Sequence, residues 1–169
     1  MPTKPRPGTM DDVYTKPGYL FRRTQQIAVA IFMEECRDFD LTPLQYAALV
    51  AIRTHPGIDA TRLSALIAYD RSTLGSMVER LEAKELIRRE AAAADKRVKL
   101  MSLTAKGAAL LRQVMGAVDS AQARMLAPLK PAERATLMQL MIRLVDLNNE
   151  ASRVPLRPED AIEHIKKTG

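Results

Sequence analysis

The hydrophobic pattern of this chain has the period of an α-helix over most of its length. A first helical stretch opens at Pro17, a residue suited to the first turn, and continues to about Arg37. A second is capped by Thr42, has Pro43 in its first turn, and ends at the stop signal His55-Pro56-Gly57. The pattern therefore predicts two helices before the middle of the chain.

Two shorter helices follow with a tight connection between them. Asp59 can cap a helix over Ala60 to Ala68, and Asp70 can cap another that continues to about Lys84. Two short helices joined by a tight turn are typical of a helix-turn-helix. We therefore predict a helix-turn-helix here.

The period changes to that of a strand after this helix pair. Leu86 to Glu90 and Arg97 to Leu103 are strand-like runs on either side of a charged turn that begins with four alanines. Positive charge is concentrated in and around this turn, where five basic residues face only Glu90 and Asp95; the basic residues are Arg88, Arg89, Lys96, Arg97 and Lys99. Helix, helix and β-hairpin in this order predict a winged helix-turn-helix with a two-stranded wing.

Helical periodicity returns after the hairpin. Thr104 can cap a helix that ends near Pro128, and a further helix begins at Lys130-Pro131 and keeps an apolar stripe as far as Asn148. These long helices have more apolar face than a small winged module can cover, so we expect a homodimer.

The fold class predicted is mainly α. We expect a flexible leader at 1–16, a helical dimerisation region at 17–40 and 104–150, and a DNA-binding region at 41–103. We expect the tail at 151–169 either to pack on the partner protomer or to be disordered.

Composition narrows the function. The chain has 169 residues, a formal net charge of +6 and a pI near 9.7, which makes an anionic partner, nucleic acid first, plausible. One cysteine and two distant histidines exclude an internal disulfide and any familiar zinc spacing. No catalytic, cofactor or phosphate-loop motif is present, so we expect neither an enzyme nor a cofactor. Without a signal peptide or an apolar run of about 18 residues, we expect a cytoplasmic protein with no membrane partner.

Motifs in the middle of the chain resemble those of the MarR family of bacterial transcriptional regulators. The resemblance extends over roughly Gly18 to Leu147. It rests on the stretch 41–46 (LTPLQY), on 70–74 (DRSTL) with 78–87 (VERLEAKELI), and on 95–97 (DKR) with 103–107 (LTAKG). It implies a dimer whose first, fifth and sixth helices interlock and whose two winged modules bind a pseudo-palindromic DNA operator.

The resemblance also implies DNA-binding residues at the recognition helix and the wing. They are Asp70, Arg71, Ser72, Thr73, Ser76, Arg80, Lys96, Arg97 and Lys99, with Asp95 maintaining the shape of the wing. We expect Arg71 to contact a base edge, while the hydroxyl side chains hold phosphates as readily as bases. Asp70 has simple helix capping as its alternative role, and Arg80 has an exposed ion pair with Glu79. Arg97 either enters the minor groove, or binds a flanking phosphate, or pairs with Asp95.

Regulators of this type usually bind small aromatic anions, and the stretch 18–23 (GYLFRR) resembles members that control the breakdown of aromatic acids, including hydroxylated nicotinate. Candidate residues for binding such a carboxylate are Tyr19, Arg22, Arg23, Gln26, Tyr46, His55 and Met115. Alternatives are dimer salt bridges or phosphate contacts for Arg22 and Arg23, core packing for Tyr46, and a helix-end role for His55.

We therefore predict a repressor that a hydroxylated benzoate or nicotinate releases from DNA. One alternative is a redox-responsive regulator acting through Cys36, although the acidic residues before it and the helix C-terminus favour an inert thiol. The other is a helical interaction module that does not bind DNA.

Overall fold

The computed structural model describes residues 6–93 and 95–157, and these residues form seven helices and three short strands. In chain order the elements are α1 (Met10–Tyr14), α2 (Pro17–Glu35), α3 (Pro43–Thr54), β1 (Ile58–Asp59), α4 (Ala60–Leu66), α5 (Arg71–Ala83), β2 (Ile87–Ala91), β3 (Lys99–Leu103), α6 (Ala105–Leu126) and α7 (Pro131–Leu147). Single 3-10 turns follow α2, at Arg37–Phe39, and α7, at Asn149–Ala151. The mainly α winged helix-turn-helix predicted from the sequence is confirmed.

The predicted helix starts are confirmed because local side-chain caps fix them. Thr42 accepts a hydrogen bond from the N–H of Gln45 at 3.2 Å, and the Gln45 side chain accepts one from the N–H of Thr42 at 3.0 Å. The Asp59 carboxylate accepts hydrogen bonds from two N–H groups in the first turn of α4. Thr104 caps α6 by accepting from the N–H of Gly107 at 3.0 Å. Each cap satisfies donors that the first turn of a helix leaves without a partner.

Helix ends differ from the prediction by one or two residues. α4 ends at Leu66 instead of Ala68, because Ala68 has a φ of 49° and the chain turns there. The buried Ser64 hydroxyl donates to the carbonyl of Tyr69 at 2.6 Å and closes this turn. The residues that we predicted to be a flexible leader include the short helix α1, whose first turn is capped by Thr9.

The predicted two-stranded wing is formed by β2 and β3, and a third strand, β1, which was not predicted, completes the sheet. All strands are antiparallel in the order β1-β3-β2, with Ile58 opposite Met101 and Arg89 opposite the same residue on the other side. A strand of two residues has no periodicity that a sequence pattern could reveal. The returning strand begins at Lys99 instead of Arg97, because the N–H of Val98 donates to the carbonyl of Asp95 in the turn.

The core joins the winged module to α2 and α6. In the described ranges, every α-helix and strand except α1 and α7 contributes buried residues; they include Phe32, Leu49, Ile52, Leu63, Leu74, Leu81, Ile87, Met101, Leu111, Val114 and Val118. α6 therefore buries the stripe that its periodicity predicts. α7 has a comparable stripe, but none of its residues is buried.

No helix within residues 6–93 and 95–157 combines the length and the apolar character that a membrane crossing requires.

Candidate nucleic-acid interface

The N-terminal end of α5 is an exposed polar surface fixed by one carboxylate. Asp70 Oδ1 accepts a hydrogen bond from the N–H of Ser72 at 2.9 Å, so Asp70 caps the helix as expected. The Ser72 N–H, with smaller effects from the Ser72 hydroxyl and the Arg153 charge, lowers the pKa of Asp70. Arg71, Ser72 and Thr73 are exposed directly after the cap. This end of α5 can therefore approach a ligand without displacing protein.

The remainder of α5 separates a buried side from a polar side. Leu74, Met77, Val78 and Leu81 are buried against the core. Ser76 is exposed, and its hydroxyl donates to the carbonyl of Thr73 at 3.0 Å. Arg80 lies in the last turn, about 14 Å along the axis from Arg71 at a rise of 1.5 Å per residue. The structure thus places Arg80 well away from the N-terminal end of the helix.

In the wing, Asp95 and Arg97 form a closed pair. The Asp95 carboxylate accepts from the Arg97 backbone N–H at 2.9 Å and from its guanidinium at 3.1 and 3.2 Å. The Arg97 side chain, followed by its backbone N–H, lowers the pKa of Asp95. The basic partner expected for Asp95 is therefore Arg97 itself in the free protein. The Arg97 side chain is nonetheless 92% exposed, and Lys96 next to it is also exposed.

A cleft of about 370 Å³ lies between α5 and the wing, and four cations line it. Three of them, Arg71, Arg97 and Lys99, are predicted site residues, and Arg71 lies far from the other two in the sequence. The fourth, Arg89, was not among the predicted DNA contacts. Asp59 is the acidic residue of the lining. Apart from that carboxylate, the charge of the cleft suits a polyanion.

Arg89 is held in the cleft by an ion pair with Glu82. Its Nε donates to the Glu82 carboxylate at 2.7 Å, and its Nη2 contacts the same oxygen. The pair lowers the pKa of Glu82 and raises that of Arg89. Strand alternation contains a signal for this placement, because Arg89 lies on the same side of β2 as the buried Ile87. In the sequence, Arg89 stands out only as part of the local positive charge.

The predicted effector residues are divided among separate places. Arg22, Arg23 and Gln26 line a shallow depression on α2 of about 540 Å³. The Arg22 guanidinium lies 4.9 Å from the centre of the Tyr19 ring, and Arg23 donates to Gln26 at 3.1 Å. These four residues therefore form one local group.

The other three candidates do not line this depression. The half-buried Tyr46 packs its ring 6.2 Å from that of Phe32, which agrees with the core alternative. His55 is the C-cap of α3, and Met115 is exposed on α6. Within one chain, only the α2 residues come together.

Cys36 is a core residue. Its side chain is 1% exposed, and burial, with a smaller effect of the Glu35 charge, raises the pKa of the thiol. A thiolate is the reactive form of cysteine, so this position disfavours redox sensing. Within residues 6–93 and 95–157, no three His, Cys, Asp or Glu side chains lie close enough together to hold a metal ion.

Comparison with known proteins agrees with this architecture. The family model described as MarR family matches residues 39–98, from the last residue of the 3-10 turn after α2 through the wing turn. The HTH-type transcriptional repressor NicR of Pseudomonas putida is 31% identical over 147 residues, which are 87% of this chain and 93% of NicR.

Two solved structures extend the match to the whole architecture. Bordetella bronchiseptica BpsR, whose DNA binding is regulated by 6-hydroxynicotinic acid, has a TM-score of 0.73 at 30% identity, covering 79% of this chain and 95% of that one. A mutant MarR from E. coli in complex with operator DNA has a TM-score of 0.74 at 26% identity, covering 82% and 99%. MarR-type proteins are regulators and not enzymes. Because NicR matches this chain over nearly the full length of both proteins, the chain belongs to the MarR family of transcriptional regulators.

Proposed function

We propose that this regulator is a homodimeric repressor that binds a pseudo-palindromic operator through α5 and the wing and is released by a small aromatic acid. One observation carries the DNA-binding part: Arg71, Arg89, Arg97 and Lys99 converge on one cleft between the recognition helix and the wing. Cations grouped in this way neutralise phosphates and release counterions, which favours binding to a nucleic acid.

The two sides of the cleft have different roles on a duplex. Arg71, in the exposed first turn of α5, is placed to pair bidentately with a guanine in the major groove. Ser72 and Thr73 are placed to hold the backbone by their hydroxyls and by the helix N-terminus. Arg97, on the wing, enters the minor groove or binds a flanking phosphate in exchange for Asp95.

The dimer covers apolar surface that one chain leaves exposed. On α7, Leu140, Val145 and Leu147 are 58%, 59% and 75% exposed. With Phe21 of α2, the end of α7 lines an apolar groove of about 390 Å³. A second copy that covers these helices would hold the two recognition helices at a fixed separation, as binding to successive major grooves about 34–36 Å apart requires.

For the effector we propose the α2 group as the carboxylate-binding side. Arg22 and Arg23 supply guanidinium donors, and Tyr19 supplies an aromatic face. BpsR, whose DNA binding responds to 6-hydroxynicotinic acid, has a similar structure. A coupling of about 1–3 kcal/mol between effector and DNA would change operator affinity by about 5- to 150-fold.

DNA binding is tested by a gel shift on DNA from upstream of the chain's own gene, followed by titrations at two salt concentrations. Arg97→Ala should weaken operator binding by at least about tenfold and flatten its salt dependence. Arg112→Ala, which removes an exposed charge of α6 outside the cleft, serves as the control. If the unmodified protein shifts no such fragment at low salt, the proposed function is wrong. If Arg97→Ala binds like the unmodified protein at both salt concentrations, the role of the wing is wrong.

Effector release is tested on the same complex. Hydroxylated nicotinates and benzoates are titrated against the operator complex, and release should be lost in Arg22→Ala or Arg23→Ala while affinity for DNA without effector is retained. The aromatic-acid proposal fails if none of these acids releases the DNA. The α2 site fails if both variants respond like the unmodified protein.

A further inference from the structure

The residues that follow α7 form a closed loop, residues 149–157, which we call the C-terminal loop. The Asn149 side chain accepts from the N–H of Leu156 at 2.8 Å and donates to its carbonyl at 3.1 Å. The Glu150 carboxylate accepts two hydrogen bonds from the Arg157 guanidinium at 2.5 and 2.8 Å. Two independent clamps therefore join the beginning of this loop to its end.

The closed loop is docked on the helix-turn-helix of the same chain. The backbone N–H of Arg157 donates to the carbonyl of Ala65 at 3.3 Å. This carbonyl lies in the last turn of α4, where carbonyl groups have no partner within the helix. Val154, Pro155 and Leu156 are half-buried. The contact thus gives a helix end a hydrogen bond that its own helix does not supply.

Docking places one exposed arginine at the start of the recognition helix. The Arg153 guanidinium lies 3.4 Å from Oδ2 of Asp70, and the other oxygen of that carboxylate caps α5. The Arg153 side chain is 91% exposed, so most of its donors face solvent. An acidic cap at this end repels phosphate, whereas a guanidinium beside it adds a cation that binds phosphate.

We propose that the C-terminal loop is part of the DNA-binding surface and that Arg153 binds an operator phosphate next to the N-terminus of α5. The proposal rests on the proposed function, because it extends an interface formed by α5 and the wing. Phosphate contacts carry no direct sequence information. Arg153 therefore adds affinity for operator and unrelated DNA alike.

The expected effect is a change in salt dependence. Each phosphate contact contributes about 0.9 to the slope of log K against log salt, and Arg153→Ala removes one contact from each protomer of the proposed homodimer, so the slope should fall by about 1.8. Arg153→Ala should weaken binding to both operator and unrelated duplex by a common factor of about three to ten at low salt. Arg153→Lys keeps a positive charge and should retain most of the slope.

The experiment is a fluorescence anisotropy titration of the full chain with both duplexes, between about 50 and 200 mM salt. Arg112→Ala on α6 is the charge-matched control and should leave the slope unchanged. Circular dichroism and thermal melting confirm that each variant folds like the unmodified protein. A slope for Arg153→Ala equal to that of the unmodified protein would overturn the proposal.

A second pair of variants separates phosphate binding from neutralisation of the cap. Asp70→Asn removes the carboxylate charge, while asparagine still caps a helix well. If Arg153 binds phosphate, Arg153→Ala lowers the slope in the Asp70→Asn background too. If its effect disappears there, the arginine only neutralises Asp70 and the proposal is wrong.

Opening the loop tests whether the loop positions the arginine. Asn149→Ala removes one clamp and leaves every charge in place, so it should reproduce part of the loss seen in Arg153→Ala. If Asn149→Ala leaves the DNA affinity and the salt slope unchanged, closure of the C-terminal loop does not position Arg153. Operator binding that depends on Arg97 but not on Arg153 overturns this inference alone, whereas absence of any DNA binding overturns the proposed function.

Discussion

Gly107, in the first turn of α6, packs against backbone where a methyl group has no room. A Cβ atom at this position would lie 2.0 Å from the carbonyl oxygen of Leu86 and 3.0 Å from its carbon. That oxygen accepts a hydrogen bond from the N–H of Thr104 at 3.1 Å, and the Thr104 hydroxyl donates to the neighbouring carbonyl of Glu85 at 2.6 Å. The same hydroxyl caps α6 by accepting from the N–H of Gly107. Gly107→Ala must therefore move the start of α6 away from β2 and loosen its cap.

The size of the effect follows from this contact. Real Cβ atoms essentially never come closer than 3.0 Å to another heavy atom, so the two backbones must separate by about 1 Å. Overpacking of this kind costs about 1–3 kcal/mol, and weakening the Thr104 cap adds about 1–2 kcal/mol. The higher helix propensity of alanine offsets about 1 kcal/mol. We expect Gly107→Ala to lower the free energy of unfolding by about 1–4 kcal/mol.

The control lies on the same helix. A Cβ atom at Gly116 would meet nothing within 4 Å, so Gly116→Ala should raise the free energy of unfolding by up to about 1 kcal/mol. Both variants are compared by urea unfolding followed by circular dichroism, at one protein concentration because the stability of a dimer depends on it. A Gly107→Ala protein as stable as the unmodified one, or one stabilised as Gly116→Ala is expected to be, would refute this reasoning.

Four further outcomes are expected. Ala68→Gly should stabilise the protein by about 1 kcal/mol, because Ala68 has a positive φ of 49°; a lower melting temperature would contradict this. Leu140→Glu should give a folded monomer in sedimentation velocity, and a persisting dimer would show that this face of α7 is not the interface. Cys36 should resist a thiol reagent at neutral pH until urea is added, whereas rapid labelling of the native protein would show the burial to be wrong. The carboxylate of Asp95 has a lowered pKa, so its stabilisation of the wing is present at neutral pH and is lost as the pH falls through that lowered value. The backbone amide chemical shift of Arg97 should therefore titrate with a midpoint below the ordinary aspartate range. A higher midpoint would refute the pairing.

Helix starts could be predicted because their causes are local. Thr42, Asp59, Asp70 and Thr104 each cap a helix through N–H groups two or three residues later, so a short window of sequence contains the whole interaction. The same holds for the pair of Asp95 and Arg97, which the sequence suggested as the alternative to a DNA contact by Arg97. The sequence therefore predicts features whose interacting residues lie only a few positions apart.

Contacts between residues that are distant in the sequence could not be predicted from local patterns. Ile58–Asp59 becomes a strand only because β3 passes beside it. Arg153 meets Asp70 across 83 positions, and this contact depends on where α7 ends and how the C-terminal loop closes. A hydrophobic pattern also gives α7 an apolar face without specifying what covers it, because the partner surface is not in the local sequence.

Arginines around the recognition helix and wing are held in a common way in the free protein. Arg97 is paired with Asp95, Arg89 with Glu82 and Arg153 with Asp70, and every one of these pairs reaches solvent. Solvent-exposed ion pairs contribute only about 0–1 kcal/mol to stability, so these pairs add little to folding. They do restrict long side chains that would otherwise lose conformational entropy on binding. In the proposed interface, exchanging a carboxylate for a phosphate at such an arginine therefore costs little, and the guanidinium is already close to the position in which it is used.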